Sequence, residues 1–170
     1  LLELIRAWMP WTQSRNKESF LLGLNLMVAT LPIVLVGLIA SDFAESRSTN
    51  IDSIAWANLI FAGLLYAAFK SSRQSKSLAE LTLFAALIIG CFQALAIFPG
   101  ASRSGMAITG ALIIGLNLKD TSRFAFLLSI PTILGALVLM VAKGAYSIAF
   151  SDMLIMLTGF IGSAFIAFIT

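Results

Sequence analysis

Histidine is absent from the 170 residues, and cysteine occurs once, at Cys91. The chain cannot close a disulfide within itself, and it has no Cys/His set to hold a zinc ion. Charge is scarce too. Asp, Glu, Lys and Arg make up 11% of the chain, against about 25% in an ordinary soluble domain. What replaces them is apolar: 59% hydrophobic residues and a mean hydropathy of +0.99. That is the composition of an integral membrane protein. The formal charge of +3 is modest, and the basic residues stand in short connecting stretches. They read as orientation signals, so no nucleic-acid partner is expected. Cys91, inside an apolar run, reads as a small packing residue.

Leu1 is not an initiator methionine and Thr170 stands within an apolar run, so both ends are read as cut. Trp8, Pro10 and Trp11 suit a helix end at a membrane interface, with Arg15 and Lys17 in the polar loop that follows. Phe20 to Ala40 is a first span, kinked at Pro32, and Ser53 to Phe69 a second. The loop 41–52 between them is acidic, while 12–19 and 70–79 are basic. By the positive-inside rule the basic loops face the cytoplasm. Leu81 to Phe98 is an apolar run of near-spanning length. Met106 to Leu118 is too short: its helix would rise only ~20 Å against a hydrocarbon core of ~30 Å. The pair, about 81–118, is therefore read as a re-entrant hairpin that enters and leaves on one side. Phe124 to Ala142, with Pro131, is a third span; 143–152 is an outer loop, and Met153 to Thr170 opens another span. The whole reads as one all-α transmembrane domain, 1–170, a polytopic helix bundle.

The hairpin's tip is Phe98-Pro99-Gly100-Ala101-Ser102-Arg103-Ser104-Gly105, and Arg103 is the only charge between Glu80 and Lys119. A guanidinium at membrane depth costs on the order of 2.5–3.5 kcal/mol by insertion scales. The neighbours suggest what offsets this. Pro99 breaks the helix, Gly100 and Gly105 let backbone approach a ligand, and Ser102 and Ser104 supply hydroxyls. A fresh helix start near Gly105 adds free N–H groups that favour an anion. The set is shaped for phosphate. Each member also has a plainer reading: Arg103 on helix-end carbonyls, the serines bonded back to their own helix, the glycines as turn and packing residues. Gly110 and Gly115 read as close-packing positions. Gln93, two turns before the tip, suits a polar cavity lining and an interhelical hydrogen bond equally well, and Asn117 reads as interfacial.

Gly90 to Gly105 resembles the second signature of the undecaprenyl-diphosphate phosphatases of the BacA type, Pro-Gly-x-Ser-Arg-Ser-Gly-x-Thr. Thr30-Leu31-Pro32 with Val36-Gly37-Leu38, and Phe126 to Pro131, resemble the spans on either side. The resemblance implies half of an inverted-repeat fold with a re-entrant helix-loop-helix. It also implies an enzyme of the bacterial inner membrane, multi-pass, with its active site open to the periplasm. The implied reaction removes the terminal phosphate of the C55 isoprenoid diphosphate. The monophosphate then returns to peptidoglycan synthesis, and bacitracin resistance follows. Carried over by position, Arg103 and Ser102 would be catalytic, with Gly100, Ser104 and Gly105 binding substrate. Gln93 and Thr109 are further substrate-binding candidates. The implied cofactor is a divalent cation, Mg²⁺ or Ca²⁺, whose ligands lie outside this sequence; no metal ligand is assigned within it. The partners are the C55 lipid and the bilayer, and a homodimer is an admissible assembly.

Two departures stand out. The motif's final Thr is Ala107 here, and Thr109, about 200° further around a helix, does not simply replace it. The family's first signature, with paired glutamates and a catalytic histidine, would precede Leu1, so the segment alone is expected to be inactive. The main alternative is a lipid-phosphate translocase or a non-catalytic polyprenyl-phosphate binder, since broken helices with an arginine also serve transporters. A type-2 phosphatidic-acid phosphatase would need a histidine near 102–109, where none exists. A purely structural subunit leaves Arg103 at a Gly-rich break unexplained.

Overall fold

The computed structural model describes residues 17–47, 51–142 and 150–169. Trp8 and Trp11, read as interfacial, Arg15, and most of the expected outer loop lie outside them. Among the described residues six α-helices follow in order: α1 Lys17–Arg47, α2 Ile51–Ser71, α3 Leu83–Ala94, α4 Arg103–Ile114, α5 Leu118–Ala142 and α6 Phe150–Ile169. Three contain stretches long and apolar enough to cross a membrane: Glu18–Ile39, Ile51–Ser71 and Leu118–Val141. The chain is an all-helical membrane protein.

The helices exceed the spans drawn from hydropathy, at their polar ends. α1 runs on through Arg47, across much of the acidic stretch read as a loop. α5 begins at Leu118, so Lys119, Asp120 and Arg123 occupy its first turns. Polarity marks where a helix leaves the hydrocarbon, and a solvated helix need not stop there. Both helices continue through their internal prolines, Pro32 and Pro131.

The chain divides into two compact units, Leu1–Ala136 and Leu137–Thr170. In the first, small residues let backbones come close, as membrane helices require in the absence of a hydrophobic drive between them. A Cβ on Gly90 of α3 would fall on the Ala29 carbonyl oxygen of α1. A Cβ on Gly110 of α4 would come within 2.9 Å of Phe92 Cβ and 3.1 Å of Ile89 Cα on α3. Around these contacts Leu26, Ala86, Ile89, Ala111, Phe124 and Leu128 form the buried core. Cys91 is exposed on α3, not packed as its apolar setting suggested. In the second unit, Thr158 and Ser163 of α6 bond back to Ile155 and Gly159.

The links at the basic end are tightly tied. Gly115, with φ +95°, caps α4 in the left-handed conformation, so it ends a helix and does not pack one. Lys76 N–H donates to the Gly115 carbonyl and Asn117 N–H to the Lys76 carbonyl, both at 2.9 Å. Asn117 then starts α5: its Oδ1 accepts from Asp120 N–H, and Asp120 in turn accepts from Leu78 N–H, each at 2.9 Å.

Glu80 closes a capping box on Ser77, accepting from its N–H at 2.7 Å and its hydroxyl at 3.0 Å. These bonds, the backbone one foremost, hold its carboxyl below the ordinary 4.5, and the nearby Lys76 adds to the effect. A depressed carboxylate stabilises the fold above its unfolded pKa, and that contribution fades as pH falls through the folded value. The Ser77 amide proton shift is therefore expected to titrate with a midpoint below 4.5, and Glu80→Gln to abolish the step in an NMR titration.

Candidate anion-binding site

α3 unwinds into a 3-10 turn, Leu95–Ile97, and then stops. Pro99 is the reason. It disfavours the helical region at the preceding residue, and Phe98 is extended at ψ 127°. Ala101 N–H returns to the Phe98 carbonyl at 3.0 Å, and Gly100 sits at φ +95°. This is a type II turn with proline and glycine in their favoured places. The turn rests on α2, where a Cβ on Gly100 would come within 2.6 Å of the Ile54 carbonyl oxygen. Nothing in the sequence marks Ile54 as its neighbour.

Ser102 is the N-cap of α4. It is extended, and its Oγ accepts from Gly105 N–H at 3.2 Å. The helix thus starts at Arg103, two residues before the expected Gly105. Ser104 Oγ lies 3.3 Å from Ser102 Oγ, in hydrogen-bond contact. Ser102, Arg103 and Ser104 are all exposed. Among the described residues no carboxylate pairs with Arg103. The first N–H groups of α4, at Arg103 and Ser104, have no acceptor within the helix, and its dipole directs positive charge the same way. One guanidinium, two hydroxyls and open amides belong to the same exposed first turn. Ser102→Ala should cost about 1 kcal/mol through loss of the cap. Ser104→Ala should cost much less, and thermal unfolding of the two variants in detergent checks the difference.

Gln93 and Thr109 are not brought to the tip. Gln93 is buried and its Nε2 donates to Thr132 Oγ1 of α5 at 2.7 Å, while its Oε1 has no partner. The interhelical bond is the reading the structure supplies. Thr109 is fully buried and its hydroxyl donates to the Gly105 carbonyl at 2.7 Å, touching the motif only through backbone. Ala107 lies in the apolar core, 2% exposed. Beside the tip, Trp56, Ile60 and Phe61 of α2 join Phe98 and Pro99 around a largely apolar groove of about 430 Å³, with Asp52 on its wall.

Among the described residues no group of three or more His, Cys, Asp or Glu side chains could hold a metal ion. The donor set at the tip suits an anion, and a divalent cation does not fit it.

The sequence profile of the family described as "Bacitracin resistance protein BacA" matches residues 1–170. The chain belongs to the BacA family. Curated BacA relatives include proteins named undecaprenyl-diphosphatase. That of Saccharophagus degradans is 41% identical over 133 residues, 78% of this chain and 50% of the relative. That of Teredinibacter turnerae is 43% identical over 132 residues, 77% and 50%. In Alcanivorax borkumensis the identity is 44% over 124 residues, 73% and 47%. The chain spans about half the length of the curated relatives it matches.

Proposed function

We propose that the intact protein hydrolyses undecaprenyl diphosphate to undecaprenyl phosphate and inorganic phosphate. This recycles the lipid carrier for peptidoglycan synthesis and gives bacitracin resistance. The observation that carries the reading is the exposed Ser102-Arg103-Ser104 step at the start of α4, cationic and without a carboxylate partner among the described residues. The names of the relatives supply the substrate.

In this reading the arms of the tip, α3 and α4, form a re-entrant hairpin. Each has 12 residues, and such a helix rises about 18 Å, well short of a bilayer core of about 30 Å. Broken backbone at that depth requires a protein-lined or wet pocket, here one open to the periplasm of the inner membrane. Arg103 takes two oxygens of the terminal phosphate in a bidentate pair, and the amides and serine hydroxyls take others. Water attacks the terminal phosphorus, the P–O bond to the bridging oxygen breaks, and the lipid monophosphate departs with that oxygen. Phosphoryl transfer of this kind rests on positioning and charge neutralisation, which these residues supply. The first isoprene units lie in the groove of Trp56, Ile60 and Phe98. The described residues offer no cage for a divalent cation.

The test is phosphate release from C55 diphosphate by the intact protein in detergent with Mg²⁺. Turnover supports the phosphatase. Retention of the lipid without release would make the protein a translocase or a binder.

A further inference from the structure

The link after α2 forms a second cationic site, at the opposite end of α4 from the tip. Residues 71–76 and 113–115 enclose a cleft of about 370 Å³. It lies where the second candidate span ends, at Ser71. Arg73, Ser75 and Lys76 line its polar side, and Ile113 and Ile114 its apolar side. Ile113 is 50% exposed there.

Cations at helix C-termini ordinarily serve the last carbonyls. Both α2 and α4 end at this cleft, and hydroxyls and backbone amides already serve several of their last-turn carbonyls. Ser71 Oγ donates to the Ala67 carbonyl at 2.7 Å and Ser72 N–H to that of Ala68 at 2.9 Å. The Leu112 carbonyl accepts from Ser72 Oγ at 2.6 Å and from Gly115 N–H at 2.9 Å. The Ala111 carbonyl accepts from Leu116 N–H at 3.1 Å.

The nearby carboxylates are engaged as well. Glu80 is held by Ser77, and Asp120 by Leu78 N–H and Asn117 Nδ2. Among the described residues neither Arg73 nor Lys76 has an ion-pair partner. Their frame is nonetheless fixed. Lys76 is pinned between Gly115 and Asn117, and Gln74, at φ 47°, turns the chain with its N–H on Ser72 Oγ. Two cations outside any close ion pair and a hydroxyl beside exposed apolar surface, at the end of a candidate span, match a phosphate attached to a lipid.

We propose that this cleft binds the phosphate of an anionic phospholipid headgroup. Arg73 and Lys76 hold its oxygens, Ser75 donates to it, and the upper lipid carbons lie against Ile113 and Ile114. The apolar side and the position at a span's end select a lipid over free phosphate.

The test is native mass spectrometry of the intact protein in mixed micelles, comparing retained phosphatidylglycerol with phosphatidylcholine. The double variant Arg73→Gln/Lys76→Gln should lower phosphatidylglycerol affinity roughly 30-fold, about fivefold for each charge near the surface. Arg73→Lys/Lys76→Arg should keep the binding and so show that the link tolerates change. Arg103→Ala should leave the preference unaltered, which separates this cleft from the tip. Undiminished phosphatidylglycerol in the double glutamine variant, or equal retention of phosphatidylcholine by the parent, overturns the proposal. Displacement of the lipid by millimolar inorganic phosphate also overturns it, making the free ion the ligand.

Discussion

Replacing Arg103 by alanine in the intact protein is expected to lower phosphate release from C55 diphosphate by about 10³-fold or more, the range seen when a charge-stabilising arginine or oxyanion donor is removed. The side chain is exposed and has no ion-pair partner among the described residues. Its truncation should therefore leave the melting temperature in detergent nearly unchanged. That pairing of results separates the two readings of the residue. An arginine holding helix-end carbonyls would lose stability first and activity only as a consequence. Arg103→Lys keeps the charge but not the planar fork, and a bidentate pair with phosphate cannot be rebuilt from a point charge. It should recover only part of the loss, mainly as a lower KM, with kcat still depressed. Full activity in Arg103→Lys would show that the site needs charge alone.

The tip was readable because its determinants are local. Pro99, Gly100 and Ser102 act within four residues of themselves, through a fixed φ, a permitted positive φ and a cap, and each stands where its chemistry is needed. The three spans were readable because length and hydropathy are enough to identify them. The pairings across the bundle were not. Asn25 Nδ2 donates to the Leu81 carbonyl across 56 residues, and Gln93 to Thr132 across 39. No periodicity in an apolar run says which polar side chain will meet which. The rotation of α4 was equally hidden. The position of the motif's final Thr, held by Ala107, packs into the core with Ala111 and Phe124. The hydroxyl at Thr109 is spent on its own helix. The first turn of α4 is thus the exposed one, and the next turn supports it from behind.

Gly100→Ala should be among the most damaging single-methyl changes in the chain, destabilising it by about 2–5 kcal/mol from two independent causes. The first is conformational: φ +95° is a backbone state that costs an L-residue about 1–2 kcal/mol. The second is steric. The added carbon would stand 2.6 Å from the Ile54 carbonyl oxygen, which is backbone of α2 and cannot rotate aside. Such overpacking costs about 1–3 kcal/mol. Relief requires α2 to move off the turn or the turn to change type, and either displaces Arg103 and the amides of α4. Activity should fall with stability, because the turn is what aims the anion site. Gly63→Ala on the same α2 is the matched control, since its added carbon meets nothing within 4 Å. In a helix that change should be neutral or should stabilise by up to about 1 kcal/mol. Thermal unfolding of both variants in detergent, beside phosphate release, reads the contrast. If Gly100→Ala melts with the parent and turns over normally, the turn does not hold the site, and the argument from Ile54 fails.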